Sequence, residues 1–153
     1  MTQIRSTLSS VAGQPATASR PRASDPAFQA FLILRSAFTL APIVFGADKF
    51  LHLLVNWDRY LAPAIAAFSP FSVPVTMDVV GVVEIVAGIT VALVPRVGAP
   101  VVCLWLVGIV VNLLLVPGFY DIALRDFGLM LAALALWRLA TVYDTRRLPW
   151  TRG

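Results

Sequence analysis

Long apolar runs, broken by prolines and short clusters of charge, constrain this chain more than any other feature. The runs recur four times: from Phe28 to Ala47, from about Pro74 to Val94, from Pro100 to Val116, and from near Asp121 to near Tyr143. Each is close to the roughly 20 residues that an α-helix needs to cross a bilayer. Together with short connections they use almost the whole of the 153 residues. Hydrophobic residues make up 59% of the chain and charged residues only 13%, with a mean hydropathy of +0.83. A water-soluble domain of this size needs more polar surface than that to cover itself. The sequence therefore predicts an all-α, integral membrane four-helix bundle.

The ends of the first helix are marked by particular residues. Asp25 is placed to cap it, and Pro26 fits the first helical position, where its missing N–H would be unpaired in any case. The helix is expected to continue to about Leu54, with Asp48, Lys49 and His52 at its far end. Residues 56–73 are too short and too broken by Pro63 and Pro70 to span. Trp57, Tyr60, Phe68 and Phe71 suit a headgroup region, so an interfacial segment or lid is expected there. Pro95 to Gly98 reads as a tight turn, and Pro117-Gly118 ends the third span.

Residues 1–25 carry Ser, Thr, Ala and Pro with Arg5, Arg20 and Arg22, and lack an apolar core of signal-peptide length. They are expected to form a disordered cytoplasmic tail. Residues 26–143 form the transmembrane domain, and 144–153 a basic cytoplasmic tail. Orientation follows from Lys and Arg. Nine of the twelve lie in the amino tail with Arg35, in the 95–99 turn, or from Arg138 onward. Both termini are therefore expected in the cytoplasm. Arg35 and Arg138 are expected to snorkel to the inner headgroups.

The net charge is +4 and the pI about 10. The basic residues flank apolar runs rather than forming a patch with interleaved aromatics, which argues against nucleic-acid binding. Cys103 is the only cysteine, so an intrachain disulfide is excluded. His52 is the only histidine, and no metal site is expected. No phosphate loop, zinc-protease helix or nucleophile elbow is present, and no catalytic residue can be named.

The polar residues converge. In this topology Asp48, Lys49 and His52 end span one on the outer side. Asp78 lies in the outer leaflet of span two, and Glu84 about 15 Å deep. Asn112 falls in the outer half of span three, and Asp121, Arg125 and Asp126 open span four. Small residues predict the packed faces: Gly46 on span one, Gly81 and Gly88 on span two, and Gly128 on span four with Asp121, Arg125, Ala132 and Ala135. An ionised Glu84 at mid-bilayer costs about 2.5–3.5 kcal/mol unless it is paired or hydrated. Lys49 and Arg125 are the available cations, and Arg125 can also hold Asp121. Two readings stay open: a polar pocket for a proton, a small solute or a quinone head group, and an ion clasp that holds the helices in register.

Three segments carry a family resemblance. LRSAFTLAPIVFGADKF (Leu34 to Phe50), GVVEIVAGITVAL (Gly81 to Leu93) and ALRDFGLMLAALAL (Ala123 to Leu136) together resemble the DoxX-like membrane family over residues 30–142. The matching positions are Arg35, Gly46, Lys49, Glu84, Gly88, Arg125 and Asp126. The resemblance implies a multi-pass protein of the bacterial cytoplasmic membrane. Its relatives include a subunit of a thiosulfate:quinone oxidoreductase and membrane partners of oxidative-stress proteins. It implies a non-catalytic subunit or anchor for a redox enzyme, with quinone as a candidate cofactor and a homo-oligomer as a candidate assembly. The alternatives are a proton-coupled transporter or permeation protein, motivated by Glu84, and a ligand-free scaffold.

Overall fold

A computed structural model describes residues 23–144. Among these residues the chain forms five α-helices and one 3-10 turn, and no strand. The helices are α1 (Pro26–Leu51), α2 (Pro63–Ala66), α3 (Val73–Leu93), α4 (Pro95–Leu114) and α5 (Tyr120–Tyr143); the 3-10 turn is Trp57–Tyr60. The expected tails of residues 1–22 and 145–153 lie outside the described residues.

Three helices are long and apolar enough to cross a membrane by length and composition: α1, α3 and α4. α5 is not among them; it carries Asp121, Arg125, Asp126 and Arg138. The distribution of polarity is inverted relative to a water-soluble fold. Ile33, Leu40, Val86, Leu104, Leu124 and Val142 face outward, whereas Asp48, Lys49, Glu84 and Asp126 are buried. Helices that are apolar all round belong in a protein core or in lipid.

The start of α1 follows its sequence. The Asp25 carboxylate accepts a hydrogen bond from the Ala27 N–H at 3.0 Å, and Pro26 opens the helix. Its end differs from expectation. The helix stops at Leu51, and His52 takes the left-handed conformation at φ 52°. Asp48 explains the stop, because its carboxylate accepts the Leu53 and Leu54 N–H groups, each at 3.0 Å. Those donors would otherwise continue the helix.

The expected turn at 95–98 is a second correction. These residues are the first turn of α4, and Val94 alone separates α3 from α4. Pro95 starts a helix more readily than it makes a turn. Gly98 allows the close packing: a Cβ there would collide with the backbone of Val91. The third span is thus 95–114, not 100–116. Pro117 and Gly118, at φ 92°, follow it as expected.

The four long helices associate mainly as two pairs. α1 lies on α3, and α4 on α5; the seams α3–α4 and α1–α5 are thinner. Glycine makes the first pair intimate. A Cβ on Gly46 would lie 2.6 Å from the Gly81 carbonyl oxygen, and one on Gly88 would lie 2.7 Å from that of Thr39. Close backbone approach gains dispersion contacts along the whole interface.

Toward the ends of the chain the interior is apolar, with Phe31, Phe38, Ala87, Val91, Ala99, Val102, Leu106, Ala133, Leu136 and Ala140. Arginines close that end. Arg35 donates to the Ala92 carbonyl, and Arg96 donates to Ala140 and Thr141 at 3.0 and 2.8 Å. Arg35 at Ala92 and Arg96 at Thr141 satisfy carbonyls of a helix C-terminus, while the Ala140 carbonyl also accepts the Asp144 N–H at 3.0 Å. The Tyr143 hydroxyl donates to Asp25 at 2.7 Å, tying the end of α5 to the start of α1.

Candidate functional site: a buried ion pair under Trp57

At the opposite end the interior is charged. Lys49, near the end of α1, places its Nζ 2.6 Å from Glu84 Oε2 on α3, and the two side chains are 3% and 10% exposed. Lys49 can reach Glu84 because Gly46 and Gly81, three residues before each, bring the backbones together. The Trp57 ring closes over the pair, its centroid 3.9 Å from Lys49 Nζ. A cation over an indole face is a favourable contact, and more so away from water.

Trp57 is itself held. Its indole N–H donates to Asp48 Oδ2 at 2.7 Å. One buried carboxylate therefore ends α1, shapes the turn after it and aims the ring at Lys49. The ring also meets Phe45 edge-on at 6.0 Å and Tyr60 at 5.7 Å. Tyr60 continues the row to Phe119, 4.8 Å away. A cleft of about 260 Å³ opens beside this row, lined by Val55, Asn56, Arg59, Tyr60 and Phe119.

The structure brings together only part of the expected set. Lys49, not Arg125, is the cation at Glu84. Arg125 is 65% exposed and donates to Asp126, its sequence neighbour, at 3.1 Å. It does not hold Asp121, which is exposed in the first turn of α5. Asp126 is buried and stands within electrostatic range of Glu84. Asp78 is half-buried and makes none of the ion pairs among the described residues. His52 is exposed at the helix end. Asn112 joins no charge cluster. Its Oδ1 accepts the Ala62 N–H at 2.9 Å and its Nδ2 donates to the Tyr60 carbonyl at 2.6 Å.

Gly128 is the clearest error among the packing positions: a Cβ added there meets nothing within 4 Å. Of the expected stripe, Asp121, Arg125, Gly128 and Ala135 are exposed, and Ala132 is half-buried against the core. α5 instead buries Ala123, Asp126, Ala133, Leu136 and Ala140. Small residues and carboxylates occur on both faces of α5, so neither feature alone says which face packs. Trp105 on α4 was missed. Its indole N–H is buried beside the Glu84 carboxylate. A lone Trp in the middle of an apolar helix was the available signal, since its donor needs a polar neighbour when buried.

No group of three or more His, Cys, Asp or Glu side chains that could hold a metal ion occurs among the described residues. The arrangement is a closed electrostatic pair with a nearby acid and an aromatic cover. It can hold charge, exchange a proton and fix two helices in register. No protein-family model matches the chain, and no curated protein or solved structure matches it.

Proposed function

We propose that this chain is a four-span protein of a bacterial cytoplasmic membrane, DoxX-like in kind, with both termini on the cytoplasmic side. In this reading it serves a membrane redox system as a non-catalytic subunit or anchor. The observation that carries the membrane part is the inverted polarity: large apolar side chains outward, the Lys49–Glu84 pair inward. α5 is the fourth span. Its 24 residues reach about 36 Å at 1.5 Å per residue, and its charges lie toward its two ends. The redox part is supported by the three resembling segments. A quinone head group and a second copy of the chain are the ligand and assembly that this resemblance brings with it.

Affinity purification in mild detergent tests the anchor role. A tagged chain from respiring cells should bring down a redox enzyme. Recovery of the chain alone under every respiratory condition would sink the proposal. Orientation has its own test, in a Cys103→Ser background. A membrane-impermeant thiol reagent applied outside should label Ala66→Cys and leave Thr151→Cys untouched. The reverse pattern would overturn the topology.

A second reading, proton-coupled passage of a small solute, draws on one observation. Trp105 and Asp126 place hydrogen-bonding capacity beside the Lys49–Glu84 pair. Liposomes carrying the protein should then show proton or solute flux, and their silence across a broad panel would count against it.

A further inference from the structure

Residues 52–62 cross the charged end of the helices as a strap, fixed at two points that belong to different helix pairs. The first anchor is Asp48 on α1, which accepts Leu53 N–H, Leu54 N–H and the Trp57 indole at 3.0, 3.0 and 2.7 Å. The second is Asn112 on α4, which accepts Ala62 N–H at 2.9 Å and donates to the Tyr60 carbonyl at 2.6 Å. Between the anchors the aromatic row Phe45, Trp57, Tyr60 and Phe119 repeats the same crossing, from α1 to the loop before α5.

Little else holds the strap. Residues 52–56 are exposed, and neither the 3-10 turn nor α2 contains a buried residue. Only Ala62, at the Asn112 anchor, is fully buried. A segment with few buried apolar contacts opens at a small fraction of the cost of unfolding the helices it covers. What it covers is the Lys49 ammonium.

We propose that residues 52–62 are a latch: with both anchors made they seal the Lys49–Glu84 pair from the aqueous side, and loss of either anchor releases the strap as a unit and uncovers Lys49. The latch does not depend on the redox role proposed above, since it concerns only access to the pair. Nor does it depend on Asn112 touching the pair. Asn112 acts from the far anchor, as a positioning residue.

The chain offers a clean probe, because Lys49 is its only lysine. The full-length protein in mild detergent is treated with a water-soluble N-hydroxysuccinimide ester, and modification of the Lys49 peptide is followed by mass spectrometry. The wild type should label slowly. Asn112→Ala removes two hydrogen bonds of the far anchor, so Lys49 should label roughly tenfold faster. Trp57→Phe keeps a ring over Lys49 but loses the bond to Asp48, and should fall between the two. Labelling of Asn112→Ala at the wild-type rate would overturn the latch, since a purely local cover needs only Trp57. Should Asn112→Ala fail to fold, amide exchange in the wild type decides. The Leu53, Leu54 and Ala62 amides should share one opening rate, faster than that of α1 and α3. Independent opening of Ala62 would overturn the proposal equally.

Discussion

Glu84→Gln should lower the stability of the protein in detergent by roughly 3–5 kcal/mol, because it leaves the Lys49 ammonium buried without its counter-charge. The substitution keeps the shape of the side chain, so packing loss contributes little. Thermal unfolding followed by helical circular dichroism reads the effect. Adding Lys49→Met should recover a large part of it, since the orphaned charge leaves with the lysine and its apolar replacement suits the site. Arg125→Met in the same Glu84→Gln background should recover nothing, because Arg125 pairs with Asp126. Equal stability of Glu84→Gln and the wild type would mean that the pair contributes no net energy. Activity then separates clasp from pocket. Under the clasp reading, the stabilised double variant also regains function. Under the pocket reading it is stable and inactive.

Gly46→Ala should be the most damaging small substitution in the α1–α3 interface. The new methyl would sit 2.6 Å from the Gly81 carbonyl oxygen and 2.8 Å from the Ile85 side chain. Ile85 can turn aside, but the Gly81 backbone cannot without separating the helices. Overpacking of this kind costs about 1–3 kcal/mol, and a backbone obstacle puts Gly46 at the upper end. Separation of the helices also lengthens the Lys49–Glu84 contact, so the loss should exceed that of a methyl placed in an apolar interface. Gly128→Ala is the control. Open space surrounds it, and the change from Gly to Ala in a helix should stabilise by up to about 1 kcal/mol. Urea or thermal unfolding of both variants checks the contrast. Similar losses at the two positions would mean that helix separation at Gly46 does not control stability.

How far the fold could be read from sequence depended on how local its signals are. The Asp25–Pro26 start of α1 is written in adjacent residues and is legible; Pro117-Gly118 marks the loop after α4 but not its end, which comes at Leu114. The early end of α1 is not legible, because Asp48 caps it from within and simultaneously serves Trp57, nine residues away. The 95–98 segment reads as a turn because proline and glycine are common to turns and to helix starts. Only the proximity of Val91 shows which use Gly98 has. In the site, Lys49 and Glu84 stand out in the sequence, yet sequence alone leaves the partner of Glu84 open between Lys49 and Arg125. Helical spacing places residues on a face but does not say which helices meet. Gly128 failed for the same reason. Asn112 was recognised as polar and assigned to the wrong task, since its partners are backbone groups that no residue type announces.

On the membrane reading, the sequence separation of the ion pair also orders its synthesis. Lys49 emerges 35 residues before Glu84. During that interval the lysine stands without Glu84. It stands two residues from the end of α1, where a long aliphatic stem can carry the ammonium up to the headgroups. Glu84, in the middle of α3, has no such escape, since its short side chain cannot reach either surface. The base therefore waits at the water's edge and the acid arrives to find it. A chain in which α3 preceded α1 would have to insert the mid-helix carboxylate first, and keep it protonated or hydrated until its partner was made.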